Sequence, residues 1–512
     1  MKQVVTLLQS TFSKLSRNIH SPKLLGIVIL ALAVGMSIFV AYTVVNMDWR
    51  IAVVLILAVP ALFFLYKYPF AGLLLWLVLM PFLLTTLTSA ERQVYWAIHR
   101  ALPAITVGVI ILRSKIEPGW RKLPKLGPAE FAILGYLVIS ILSIYYQNDQ
   151  FTATLYQFYD RVLIPVCLYM IVRLYNPKEN DIQKIVPVAF FLVISQSAIG
   201  ILSWIAPGVL PSKWLELQGV RTIGSLESYS VFSVTLIFGG LLLLHAANNM
   251  KPGILRTAYI LAFALSVYSV FISFSRASWI AGIVVILALI LLYPRFMLKV
   301  SGLFIVMVMA LGILFFSNQS DMVRNRLFSA ESERSAITRL PVYYAAIRMF
   351  QEKPLFGWGY NNFDRYDRQF QPFTIGEFAG DNKDHASHNL YLSLLAEQGL
   401  FGLLLYMAPV FWWMVVAIKT ILRMPRAGFW SIRLLAIYWL VIISHIIVNN
   451  FSNMRVVYGL GLWWLTVGLI GSMESTYLRS GELSLLAWVR GKVQENSARR
   501  QTLQNNPKSW NR

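Results

Sequence analysis

The sequence predicts an all-α polytopic membrane protein of about 12–14 transmembrane helices with one large, partly helical external loop. Three observations carry this expectation. Of 512 residues, 57% are hydrophobic and only 13% charged, about half the charged share of soluble domains. Apolar runs of membrane-spanning length recur along most of the chain. One segment of 72 residues, 317–388, breaks the rhythm of short connections.

Taken in order, the apolar runs place spans near 24–46, 51–66, 69–88, 94–112, 128–146, 155–174 and 184–206. Further spans are expected near 229–247, 255–275, 277–293, 298–316, 391–418, 434–450 and 455–473. The first run is too long for a signal-peptide core and lacks a small-residue cleavage pattern, so it reads as a retained helix. The weakest is 94–112, which carries His99, Arg100 and Pro103. The chain thus divides into a cytoplasmic amino-terminal segment (1–23), spans (24–316), a large external loop (317–388), further spans (389–473) and a basic tail (474–512). The amino-terminal segment reads as an amphipathic stretch on the membrane surface.

Charge sets the orientation. The net charge is +22. With the amino terminus inside, and span ends counted with their adjoining loops, the cytoplasmic side holds 28 Lys/Arg and 7 Asp/Glu. The outer side holds 15 of each. This is the positive-inside pattern. It places both termini in the cytoplasm and assigns the basic excess to topology, not to nucleic acid. The expected location is the inner (plasma) membrane, multi-pass, in contact with membrane lipids. The one cysteine, Cys167, allows no intrachain disulfide and no cysteine-based metal site. It reads as a small buried hydrophobe.

Four outward-facing elements hold chemistry. In "SFSRASW", Arg276 occupies a tight turn between two spans. It reads as an interfacial snorkeler or as an anion ligand. In 335–363, Leu340, Tyr343, Tyr344, Ile347 and Phe350 approximate helical spacing. Thr338 is the expected N-cap, Pro341 sits in the first turn, and the helix ends before Pro354. Arg339 then lies at the positive end of that helix, where free N–H groups and a guanidinium suit an anion. His388 opens the helix that re-enters the membrane, as a helix-start cap or as a base near neutral pH. His385 and His388, with Asp381 and Asp384 nearby, also fit a zinc or manganese site. That is the lesser reading, because carboxylates ahead of a helix are ordinary caps. Glu397 lies half a turn out of phase with His388 and about 13 Å deeper, so another helix is expected to satisfy it. The fourth element is Arg221 in "GVRTIGSLESYS". Three arginines and a histidine around an aromatic loop suit phosphate and sugar, hence a lipid-linked pyrophosphate sugar.

The segments "SRASW", "TRLPVYYAAIRMFQEKPLFGWGYNNF" and "SHNLYLSLLAEQGLFG" resemble the O-antigen ligase and O-antigen polymerase superfamily of bacterial glycan transferases. With Arg221 the resemblance covers about 180 residues. It implies an active site on the periplasmic or outer face and a transferase that needs no metal and no cofactor. The implied donor is an undecaprenyl-diphosphate-linked glycan, and the acceptor lipid A–core or another glycan. His388 would be the essential histidine near the acceptor hydroxyl. Arg276 and Arg339 would hold the donor pyrophosphate. Arg221 would join them, although "TIGSLESYS" lacks the asparagine that follows it in many members. Ligase is favoured over polymerase, with protein oligosaccharyltransferase as a third option. A lipid-linked glycan transporter is the alternative from another class. It would need charges lining a mid-membrane cavity, and only Arg100, Arg161 and Glu397 lie within spans.

Overall fold

The computed structural model describes residues 60–84, 88–117, 119–147, 150–216, 221–299, 301–302, 339–371, 387–452 and 455–476. The expected spans 24–46, most of 51–66 and most of 298–316 lie outside the described residues. So do Thr338, Asp381, Asp384, His385, the amino-terminal segment and the basic tail. The chain divides into two compact units, Met1–Pro69 and Phe70–Arg512. Within the first, the described part is a short helix, Pro60–Lys67. The rest of the description concerns the second.

This unit is all-helical among the described residues. Its helices are α1 (Pro69–Leu79), α2 (Ser89–Ile116), α3 (Pro128–Gln147), α4 (Phe151–Tyr175), α5 (Ile185–Ile205) and α6 (Tyr229–Asn248). Then follow α7 (Ile254–Phe271), α8 (Arg276–Leu292), α9 (Leu340–Glu352), α10 (Phe363–Phe370), α11 (Leu390–Thr420), α12 (Ile432–Asn449) and α13 (Val457–Ser475). Among the described residues, eight helices are long and apolar enough to cross a membrane: α2 to α7, α11 and α12. The protein is therefore an integral membrane protein. The expected span at 69–88 is cut short. Helix α1 stops at Leu79, and a 3₁₀ turn follows with Pro81, which has no N–H to continue an α-helix.

Burial separates the helices into a core and a lipid-facing shell. Every residue of α6 from Ser230 to Ala247 is buried, as is every residue of α13 from Tyr458 to Glu474. A helix apolar all round and buried all round lies inside a bundle. Helix α6 packs on α5, α7 and α12, while α13 packs on α4 and α12. Helix α3 is two-faced. Ile133, Tyr136, Ser140 and Ile144 are buried, and Phe131, Leu134, Val138 and Leu142 are exposed. The exposed stripe is wholly apolar and suits hydrocarbon. Near the amino terminus of α3, Glu130 accepts hydrogen bonds from Arg173 Nε (2.8 Å) and the Tyr169 hydroxyl (2.7 Å). That buried pair ties α3 to α4.

Two helices contain a π turn, Trp96–Ala101 in α2 and Tyr159–Leu163 in α4. Such bulges are rare and cluster at functional sites. They face each other here. Arg100 donates from Nε and Nη2 to the two carboxylate oxygens of Asp160, both at 2.7 Å.

The break in α11 organises the rest. Gly399 has φ 65° and ψ −165°, which no helix tolerates. The gap it leaves is filled by backbone from residues 354–359. Trp358 N donates to Ala396 O (2.9 Å) and Gly359 N to Glu397 O (2.7 Å). In return Leu400 N donates to Pro354 O (2.8 Å) and Phe401 N to Leu355 O (3.2 Å). The two chains cross at glycine on glycine. A Cβ on Gly357 would fall 2.6 Å from Glu397 O, and one on Gly399 would fall 2.6 Å from Phe356 N. Both residues also have positive φ. Substituting Gly399→Ala or Gly357→Ala should therefore cost at least about 1–3 kcal/mol from backbone strain alone. Thermal unfolding of the purified protein in detergent reads this directly, and an unchanged midpoint would contradict the clasp.

Candidate functional site

Arg276, Arg339 and His388 sit at or just before the start of a helix, and Arg221 in the loop ahead of α6. Arg276 is the first residue of α8, behind Ser275, whose hydroxyl caps the helix by accepting from Ser278 N. The turn before it is rigid. Phe274 has φ 50°, and its ring lies 5.3 Å from that of Trp204. Trp204 in turn donates its indole N–H to Thr222 Oγ1 (2.7 Å), the residue next to Arg221. One tryptophan thus joins the Arg276 turn to the Arg221 loop.

Arg221 stands at the head of a packed loop. Its guanidinium lies over the Tyr229 ring at 4.4 Å, and its backbone N–H donates to Glu216 Oε2 (2.6 Å). Thr222, Ile223, Ser225 and Leu226 are buried. Gln196 of α5 grips the loop by accepting from Ser225 N (3.1 Å) and donating to Ser225 Oγ (2.8 Å).

Arg339 is the N-cap residue of α9, with no side-chain cap of its own. The helix ends at Glu352 as expected. Its buried face differs from the expected one. Val342, Ala345, Ala346 and Met349 turn inward, whereas Leu340, Tyr344 and Ile347 are exposed. Small residues let α9 lie close against α11, so the larger apolar side chains are left outside. Val342, Ala346 and Met349 cluster with Ala396, and Leu392 packs on the same cluster. From the glycine clasp, α9 therefore runs back along α11 towards the end that carries His388.

The three arginines converge. The Arg276 guanidinium is pulled below its usual pKa by burial, then by the positive charges of Arg339 and Arg221. Arg276 thus repels both of the others, while Arg221 has Glu216 Oε1 at 3.9 Å from its Nε. The starts of α6, α8 and α9, which bear or adjoin these residues, add the positive ends of their dipoles.

His388 does not cap its helix. That role falls to Asn389, whose Oδ1 accepts from Tyr391 N (3.0 Å) and Leu392 N (3.1 Å). His388 precedes the cap, half-buried, with φ 49°. Ser387 braces the turn by hydrogen bonding to Ser393 Oγ and to Asn389 O (2.8 Å). A left-handed histidine pinned between two bonded neighbours is a strained residue of the kind found at functional sites.

Glu397 is satisfied by other elements, as its phase required. It accepts from Asn361 N (3.0 Å) and Phe363 N (3.2 Å) at the start of α10, and from Arg455 Nη2 (2.7 Å) ahead of α13. Arg455 Nη1 also donates to Asn361 Oδ1 (3.0 Å), which Arg161 Nη1 reaches at 3.3 Å. Sequence reasoning flagged Arg161 and Glu397 as charges within spans. It missed Arg455 and Asn361, which carry no local signal.

An apolar cavity of about 330 Å³ lies between α7 and the half of α8 remote from Arg276. Phe263, Val267, Ile286 and Ile290 line it, together with Pro294 and Met297 beyond α8. A smaller void shares Phe263, Val267 and Ile286 and extends to Val270 and Gly282, towards the Arg276 end.

Among the described residues the fold and site define an all-helical membrane protein with Arg276 and Arg339 at helix amino termini and Arg221 within electrostatic reach of Arg276. Residues 261–407 match the family model described as O-Antigen ligase. The match supports the superfamily that the sequence resembles, whose members are glycosyltransferase-like enzymes. It includes Arg276, Arg339 and His388, and stops short of Arg221. No curated protein matches the chain.

The Glu397 carboxylate is 2% exposed and pairs with Arg455. Removing it alone with Glu397→Ala leaves that guanidinium uncompensated. The expected cost is about 3–5 kcal/mol, read as a lowered unfolding midpoint. The double variant Glu397→Ala/Arg455→Met should recover part of it.

Proposed function

We propose that this protein is a glycosyltransferase of the O-antigen ligase type. It moves a glycan from undecaprenyl diphosphate to an acceptor hydroxyl at the outer face of the inner membrane, with both chain termini in the cytoplasm. The observation that carries this reading is Arg276 at the start of α8, within electrostatic reach both of Arg339 at the start of α9 and of Arg221. A diphosphate presents the dense charge and fork geometry that guanidinium groups match.

In this reading the acceptor hydroxyl attacks the anomeric carbon of the donor sugar. The bond from that carbon to the diphosphate oxygen breaks, and the diphosphate leaves with the electron pair. Charge grows on phosphate, where preorganised arginines stabilise it in a site that excludes water. His388 accepts the proton of the attacking hydroxyl, worth roughly 10²–10⁴-fold. No strong general acid is needed, since diphosphate is a good leaving group. The chemistry needs no metal ion, so transfer is expected to survive a chelator. Lipid A–core is the proposed acceptor. A polymerase of the same superfamily would use a second lipid-linked glycan, and glycan-linked lipid A against chain-length ladders in a deletion strain separates the two.

Purified protein supplied with lipid-linked donor and acceptor, without any ion gradient, should form product. His388→Ala should lower the rate by at least about 100-fold while the unfolding midpoint is retained. Arg276→Gln should cost about 10²–10³-fold, the usual loss of one oxyanion donor. Arg339→Lys should be impaired too, because lysine lacks the bidentate fork. Wild-type rates in all three would refute the assignment. Movement of the glycan only across a membrane, with no product, would favour a transporter.

A further inference from the structure

The segment that fills the break in α11 turns two large apolar side chains outward, Leu355 and Phe356, each 51% exposed. Direct contacts fix their place. Leu400 N donates to Pro354 O (2.8 Å), Phe401 N donates to Leu355 O (3.2 Å), and the Phe356 ring stacks on that of Phe401 at 5.3 Å. Leu400 and Phe401 are themselves exposed. Leu400 heads an exposed apolar strip that continues through Leu404, Phe411, Val415 and Ile418 at helical spacing. Such a strip along a membrane-spanning helix faces hydrocarbon.

The same helix sets the level of the membrane. Residues 398–418 carry no charge and lie between the buried Glu397 and the exposed Lys419. At about 1.5 Å per residue they extend over roughly 30 Å, the thickness of a hydrocarbon core. One hydrocarbon boundary therefore falls near Leu400, and Leu355 and Phe356 lie at it. The residues just ahead of them suit headgroups. Gln351, Glu352 and Lys353 are exposed and polar. Lys353 Nζ lies 3.8 Å from the centroid of the Trp358 ring, whose indole N–H donates to Met349 O (2.9 Å). Lysine and tryptophan gather where headgroups meet acyl chains. The backbone is suited as well. Pro354 has no N–H, and the carbonyls of Pro354 and Leu355 are bonded to α11, which lowers the cost of leaving water.

We propose that Leu355 and Phe356 form an apolar wedge that inserts among lipid acyl chains at the bilayer surface. The wedge extends the lipid-facing strip of α11 and anchors the segment between α9 and α10 to the membrane. In the orientation proposed above, this is the outer leaflet. Insertion needs neither donor nor acceptor, so it stands or falls apart from glycan transfer.

The test places a nitroxide spin label at Leu355→Cys or Phe356→Cys in a Cys167→Ala background. The full-length protein is held in vesicles of phosphatidylethanolamine and phosphatidylglycerol. Both labels should relax faster with oxygen than with a water-soluble nickel chelate, at a depth of about 5–10 Å below the phosphates. A label at Glu352→Cys should lie shallower than either. If the chelate reaches the first two labels as freely as oxygen does, the side chains are in water and the wedge is refuted. Labels shielded from both agents would refute it too, because protein, a second copy included, would then cover the site. Wild-type protein supplies a measurement that does not depend on the variants folding. In the same vesicles doped with a phosphatidylcholine bearing a diazirine on its acyl chain, irradiation should leave adduct on the peptide holding Leu355 and Phe356 as well as on α11. Adduct on α11 alone would defeat the proposal.

Discussion

The architecture of the site depends on one backbone crossing. Helix α11 is interrupted at Gly399, and residues 354–359 fill the break with four backbone hydrogen bonds. Inside a bilayer no water can satisfy broken helix bonds, so an interruption persists only where protein fills it. Glycine is required on both sides because the two chains approach within the radius of a Cβ. The crossing holds Glu397 where it can receive the amides at the start of α10 and the guanidinium of Arg455. The segment that begins α10 is thereby tied, at one acidic residue, to α11 and to Arg455 ahead of α13.

From this crossing the candidate residues acquire their positions. Helix α9 is laid along α11 by Val342, Ala346 and Met349, so Arg339 is carried towards the end where His388 sits. Arg276 and Arg221 reach the same cleft by another route, through Trp204. Each cation stands at or beside a helix amino terminus. Positive dipole ends and guanidinium groups placed together favour a negatively charged group.

Charges within spans are costly, and Arg100, Arg161 and Glu397 each have a partner. Arg100 is bound by Asp160 across facing π turns. Arg161 and Arg455 meet at Asn361, and Glu397 answers Arg455. Such groups read from sequence as the lining of a transport path. In the fold Arg161, Asn361, Arg455 and Glu397 form one hydrogen-bonded network.

Hydropathy, charge asymmetry and short motifs determined much of this protein by themselves. The apolar runs set the all-α class, because a membrane admits few other solutions. The helix ending before Pro354 and the outlying phase of Glu397 were equally legible, being local consequences of proline and helical period. Other features belong to tertiary structure. The inward face of α9 was decided by close packing on α11, which favours alanine over tyrosine. Asn389 displaced His388 as the cap because its side chain reaches two backbone amides. The meeting of Arg161, Asn361 and Arg455 joins residues 200 and 94 positions apart. No local pattern encodes such a contact, since only the folded backbone brings those side chains within hydrogen-bonding distance.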